Sequence, residues 1–517
     1  MLHTVPDGDC LGRRMSPPAQ PASALHDAPD ADTPAPAADG AAAAPPEAPK
    51  GGEVRSRAMR GSMWTLVGHA GANLTRFAAN LLLTRLLFPE AFGVMALVNV
   101  FLQGLHMFAD VGIGISVIQS KRGDDPAFVQ TAWTLQALRG LYLFVVAALI
   151  GYPLSLVYGI PDLAWMVPVA GSTALIEGFS SMALFTQNRA LNLGRVTATE
   201  LLSTVIAASA MCITAYFTRS IVSLLVNGLV AAALRMAFSH LLLRGVKHRF
   251  AWEPEARKEI LQFGRWIFLS TAATFIALQI DRLLLGGFVP EEELGIYSVA
   301  LALALMPREV VGQLAQRVYY PLVASALRDH EHAKVRELRW KLMSLLIVPV
   351  ACTIGVAVPL IELLYDDRYH DAGPLMAVLS IDTWLSILQM GYGMIAMGRG
   401  EPRFATYGTV VKTIVFGVGF MPIFHAWGVV GVAGLVCLST IAPYATTAYA
   451  AAQVRAARLG LDLVMSAAVI GIAIGAYTLH GVIERATGAS LLGIVILGVI
   501  AVGVPGALLA TKRVRLL

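Results

Sequence analysis

The sequence predicts an all-α membrane protein of about fourteen transmembrane helices, arranged as two six-helix lobes with two further helices at the C-terminus. Three observations carry this prediction. Of 517 residues, 56% are hydrophobic and only 14% charged, where a soluble chain is roughly a quarter charged. Beyond Ser62 the chain divides at Gly, Pro and charge clusters into apolar segments of bilayer-spanning length. The loops between those segments alternate sharply in Lys and Arg content.

The spans fall near 62–86, 91–118, 128–152, 162–185, 197–217, 220–243, 262–286, 294–323, 341–364, 373–396, 404–424, 427–453, 463–483 and 489–511. Loops on the N-terminal side hold Arg55, Arg57, Lys121, Arg122, Arg189, Arg249, Lys258, Arg336, Arg339, Lys341, Arg403, Arg458 and Arg515, among others. The other side holds Arg85, Arg219, Arg368 and Arg485. Positive charge is retained in the cytoplasm, so both termini are expected there, in a bacterial inner membrane. One missed span would invert every later loop.

The organisation that follows is a tail over 1–58, a first lobe over 59–243, an inter-lobe loop over 244–261, a second lobe over 262–455 and a final helix pair over 456–517. The tail is rich in Ala, Pro and Asp and has no apolar core of signal-peptide length, so it is expected to be disordered. A start at Met59 or Met63 stays open. Cys10, Cys212, Cys352 and Cys437 are too scattered for a disulfide framework or a zinc site. No loop is long enough to house a catalytic domain, which argues against an enzyme. The net charge of +5 is spread over short loops and gives no nucleic-acid patch.

A repeat is visible within the chain. Trp64 to Gly93 and Trp266 to Gly295 share one spacing, and Pro89-Glu90-Ala91-Phe92-Gly93 stands beside Glu291-Glu292-Glu293-Leu294-Gly295. An even number of spans separates the copies, which predicts parallel repeats about an axis along the membrane normal.

Ionisable groups at bilayer depth are costly and face a bundle interior or a wet cavity. Arg76, Arg139, Glu177, Arg235, Arg308, Glu309, Asp382 and Lys412 all fall inside spans. In the first span Ser62, Thr65, His69, Asn73, Arg76, Asn80 and Thr84 share one helical face. Shorter stripes follow: Thr173, Glu177 and Ser181; Glu309, Gln313 and Gln316; Asp382, Ser386 and Gln389. Interhelical packing, with pairs such as Asp281 and Arg282, is the bland alternative. In the first lobe, however, Arg76, Arg139 and Arg235 face a lone Glu177. Surplus positive charge in a cavity invites an anion, and the guanidinium fork suits phosphate. Arg76, Arg139, Arg235, Arg308, Asn73 and Asn80 are therefore the candidate substrate residues. Glu177, Asp382 and Asp281 are candidates for H+ or Na+ coupling. No metal site or other cofactor is expected.

Two stretches resemble a known family: Phe108-Ala109-Asp110-Val111-Gly112-Ile113-Gly114, and Gln279-Ile280-Asp281-Arg282-Leu283-Leu284-Leu285-Gly286 followed by Leu294-Gly295-Ile296-Tyr297. They are similar to the polysaccharide transporter family of the multidrug, oligosaccharidyl-lipid and polysaccharide exporter superfamily, nearest its colanic-acid and xanthan branch. The likeness runs from about 59 to 455. It implies a flippase for undecaprenyl-diphosphate-linked oligosaccharide in exopolysaccharide or O-antigen synthesis. Inner-membrane lipids, a polysaccharide polymerase and chain-length machinery are the partners it implies. A multidrug or cation antiporter of the same superfamily is the rival reading. A membrane polymerase or ligase is a more distant one.

Overall fold

The computed structural model describes residues 51–108, 112–190, 192–243, 247–487 and 490–510; of the expected 1–58 tail, 1–50 lie outside them and 51–58 are helical, as the start of α1. Among the described residues every regular element is helical. A bilayer dictates this, because only a helix or a closed barrel satisfies each backbone N–H and C=O within the segment. Among the described residues, nine helices are long and apolar enough to cross a membrane, or ten if one bent pair counts as a single span.

The first half comprises α1 (Gly51–Leu86), α2 (Pro89–Phe108), α3 (Ile113–Gln119), α4 (Pro126–Tyr158), α5 (Leu163–Gly178), α6 (Ala183–Arg189), α7 (Leu193–Thr218) and α8 (Val222–Leu241). The second comprises α9 (Pro254–Phe288), α10 (Glu291–Leu314), α11 (Tyr320–Arg328), α12 (His332–Gly355), α13 (Ala357–Leu364), α14 (Ala372–Gly398) and α15 (Arg403–Gln453). Helices α16 (Leu459–Thr487) and α17 (Ser490–Ala510) follow.

Several expected spans are interrupted, each for a local reason. The second is broken before Gly112, whose φ of 65° stops α2 from running into α3. The fourth bends by 57° between α5 and α6. The eighth passes from α10 to α11 through a π-turn over Ala315–Tyr319. The eleventh and twelfth form one run of 51 residues, broken at Gly428 with φ 57° and ψ −147°. At 1.5 Å per residue an unbroken helix of that length would far exceed a bilayer. The charged stretch expected as a loop to residue 340 is instead helical from His332, so Arg336 and Arg339 belong to α12.

The two ends of the bundle pack differently. At the end carrying the α1–α2 and α9–α10 turns, one continuous core joins the halves: Val94, Leu97 and Val98 meet Leu294, Tyr297 and Leu301, with Tyr365 and Tyr369 beside them. Helices α2 and α10 cross backbone to backbone there. A β-carbon at Gly93 would lie 1.9 Å from the Glu291 carbonyl oxygen, and one at Gly295 would lie 1.9 Å from that of Pro89. These contacts exchange equivalent positions of the sequence repeat, so the approach is reciprocal. Arg368 adds a clasp, donating to the Thr84 carbonyl at 3.5 Å and lying 4.8 Å from the Phe88 ring.

At the other end, which carries the basic loops, the core divides. One cluster gathers Ile113, Val117, Phe128, Trp133 and Met182, and among the described residues the start of α9 joins it from the second half through Ala256 and Ile260. A separate cluster gathers Tyr319, Val323, Val335, Leu342, Tyr392 and Met465.

Candidate functional site: a cationic pocket beside a broken helix

The bend between α5 and α6 leaves backbone groups unpaired, and such groups must find partners inside a membrane protein. Neighbouring elements supply them. Gln136 of α4 directs its Nε2 at the carbonyls of Glu177, Gly178 and Ser180, at 3.3, 3.1 and 3.1 Å. His240 of α8 donates from Nε2 to the Phe179 carbonyl at 2.9 Å. On the far side of the break, the Ser181 amide donates to the Ser239 hydroxyl at 2.9 Å and the Met182 amide to His248 Nε2 at 3.1 Å. An imidazole nitrogen that accepts an amide proton carries none itself. Burial, with the nearby His240 as a lesser cause, holds the His248 pKa below its usual value and favours that form.

Small residues let the helices approach the break. A β-carbon at Gly140 would come within 2.6 Å of the Ala174 carbonyl oxygen, so α4 lies directly on α5. The space left between them and α8 is a cavity of 180 Å³, lined by His106, Gln136, Arg139, Glu177, Phe185 and Arg235, among others. Arg235 Nη1 stands 3.3 Å from Glu177 Oε1, with both side chains about two-fifths exposed (43% and 37%). Arg139 Nη2 donates to the His106 carbonyl at 2.9 Å.

Among the described residues that line the cavity, two guanidinium groups stand with one carboxylate. The Arg235–Glu177 contact is long for a charge-assisted bond and solvent-accessible, so it is weak. An incoming anion can take Arg235 by displacing Glu177.

The structure therefore brings together Arg139, Glu177 and Arg235, and does not bring the other candidates to the same cavity. Arg76 is exposed on α1 and donates to Asn73 Oδ1 at 3.1 Å, with Asn80 half-buried one turn further along. Arg308 is half-buried on α10, beside an exposed Glu309. Asp281 is buried and accepts from the Tyr297 hydroxyl at 2.7 Å, and not from the neighbouring Arg282. Asp382 and Ser386 are packed inside the second half, so that stripe is interior and not a cavity wall. The side chain of His69 and all of Asp110 lie outside the described residues.

One charged centre escaped the sequence reading. Arg339 and Asp462 form a buried pair, Nη1 to Oδ1 at 2.7 Å and Nη2 to Oδ2 at 3.1 Å. The hydroxyls of Tyr392 and Tyr444 donate to Asp462 at 2.7 and 2.8 Å, and the guanidinium lies 3.6 Å from the Tyr392 ring centre. A signal was present: Val335, Arg339, Leu342 and Leu346 recur at helical spacing, which puts Arg339 on an apolar face.

Residues 82–374, more than half of the chain, match the family described as polysaccharide biosynthesis protein. The chain belongs to that family. It is 21% identical over 60% of its length to the teichuronic acid biosynthesis protein TuaB of Bacillus subtilis, and 21% over 62% to the succinoglycan biosynthesis transport protein ExoT of Rhizobium meliloti. In each case the match spans 64% of the relative. Among solved structures, the lipid II flippase MurJ in an inward closed conformation superposes with a TM-score of 0.64 at 10% identity, covering 86% of this chain and 98% of that one. An inward-facing multidrug resistance MATE transporter of the MOP superfamily gives 0.60 at 16% identity, covering 74% and 95%. At such identities the shared property is the fold.

Proposed function

We propose that this polysaccharide biosynthesis protein is a carrier that moves undecaprenyl-diphosphate-linked oligosaccharide from the cytoplasmic to the periplasmic leaflet of a bacterial inner membrane. The observation that carries the proposal is the cavity lined by Arg139 and Arg235, with Arg235 only loosely paired to Glu177. A diphosphate offers two guanidinium forks the acceptors they need. A cation or drug antiporter would gain nothing from surplus positive charge.

Fourteen spans, with 59–243 and 262–455 as lobes and both termini cytoplasmic, fit the helices once the run from Arg403 to Gln453 is taken as two spans. The basic loops then mark the cytoplasmic end. Cores that divide there and fuse at the opposite end suit a carrier loading from the cytoplasm. Release requires the Gly93–Gly295 crossing to part while the cytoplasmic clusters close. No bond is broken in this cycle, and binding stays modest so that neither state becomes a trap. The exported glycan would pass to a polymerase and its chain-length machinery.

The test is export. In a host lacking the gene, the Arg139→Ala and Arg235→Ala variants should restore little surface polysaccharide while reaching wild-type abundance in the membrane. Full export from both would remove the cavity from the carrier's route.

A further inference from the structure

In the second half, Asp382 of α14 is buried, yet among the described residues no guanidinium or ammonium touches it directly. Its Oδ1 accepts the proton of the Thr440 hydroxyl, and the same hydroxyl accepts from Lys412 Nζ at 2.9 Å. A hydroxyl has one proton and two lone pairs, so the bridge has a direction: ammonium to hydroxyl to carboxylate. The hydroxyl proton has a second acceptor in the Val436 carbonyl at 3.0 Å, but the bond to an ionised carboxylate is the stronger. Lys412 and Thr440 sit on opposite sides of the Gly428 break in α15. The bridge therefore ties both segments of α15 to α14.

The surroundings hold the charge at zero. Asp281, buried on α9, accepts from Tyr297, and Arg282 follows it in the chain. Asp281 bonds Tyr297, and Thr383, next to Asp382, donates to the Ala304 carbonyl at 2.7 Å, so both carboxylates flank α10. With Lys412 included, the cluster has two acidic and two basic groups. A metal cation added there would bring uncompensated charge into a desolvated site. Hard cations also need several converging oxygens. Among the described residues no three acidic, His or Cys side chains come together to supply them.

We propose that Lys412 is a tethered counter-cation for Asp382, held through the Thr440 hydroxyl, so that this carboxylate takes up no metal ion. For the carrier reading, the consequence is transport that needs no sodium at this site. The assignment itself is tested on purified protein without substrate, so its failure is separable from failure of the carrier reading.

The experiment compares thermal unfolding of the full chain in matched sodium chloride and choline chloride. Wild type should unfold at the same midpoint in both salts. The Lys412→Met variant should acquire a sodium-specific rise of a few degrees, absent from Lys412→Met/Asp382→Asn. A sodium-specific rise in wild type that Asp382→Asn abolishes would overturn the proposal, as would identical midpoints in both salts for Lys412→Met. Should Lys412→Met not accumulate, the order of the remaining variants decides. Asp382→Asn, which strands the ammonium, should unfold below the double variant, and the opposite order would count against the bridge.

Discussion

Two ion pairs of the same chemistry, Arg235–Glu177 and Arg339–Asp462, sit in environments that give them opposite roles. The first is half-exposed, singly bonded at 3.3 Å, and placed on a cavity wall beside a second arginine. The second is almost wholly buried at 4% and 2% exposure, doubly bonded, and enclosed by two tyrosine hydroxyls and an aromatic face. A weak, wet pair can exchange its carboxylate for a ligand's phosphate at small cost. A dry, doubly bonded pair cannot, because opening it strands a charge. Under the proposed function, ligand chemistry belongs to the first half's cavity, while Arg339–Asp462 fastens α16 onto α12 and α14.

The largest expected effect breaks the dry pair. Arg339→Met should cost about 3–5 kcal/mol by leaving Asp462 unpaired. Thermal melts and protease sensitivity of α16 would show it, and Arg339→Met/Asp462→Leu should recover most of the loss. A tolerated single variant would mean the pair is wetter than its packing indicates.

Next comes the helix crossing. Gly93→Leu forces side-chain atoms into the Glu291 carbonyl, an overpacking cost of about 1–3 kcal/mol, and should abolish export by displacing α2 from α10. Gly295→Leu, its reciprocal, should behave alike. Markedly unequal export or abundance between the two would deny the symmetry of the crossing.

Arg235→Ala should sharpen the contrast from the other side. It removes a half-exposed contact worth roughly 0–1 kcal/mol, so its melt should stay near wild type while export falls.

The smallest effect concerns the helix break. The His248 pKa is depressed in the folded state, so the stability it supplies is present above its unfolded value and is lost as pH falls below about 6.5. The protection factor of the Met182 amide, whose N–H donates to this imidazole, should fall on acidification once the intrinsic exchange rate is divided out. A His248→Asn variant should lose that pH dependence, and an unchanged acid response in it would place the titrating group elsewhere.

The sequence carried the helices and the repeat because hydropathy and loop charge are one-dimensional quantities. Gly93 and Gly295 could be aligned as equivalents from spacing alone, although their mutual contact could not be foreseen. Arg139, Glu177 and Arg235 could be grouped because each is an ionisable residue in a span of the first lobe. Arg76 in the first lobe and Arg308 in the second are also ionisable residues inside spans but do not share the cavity, since helical periodicity gives a direction around one axis and says nothing of which neighbour stands there. The break between α5 and α6 stayed hidden because its caps come from Gln136, His240 and His248, far away in the chain. Arg339 was mistaken for loop charge because α12 begins earlier than its apolar stretch.

Titrating purified protein with a short polyprenyl diphosphate, wild type against Arg235→Gln, measures directly whether the wet pair yields to a ligand. Charge-assisted bonds of roughly 1.5–3 kcal/mol predict binding about ten- to a hundredfold weaker in the variant. Equal affinity in the two proteins would contradict an exchangeable arginine in the cavity.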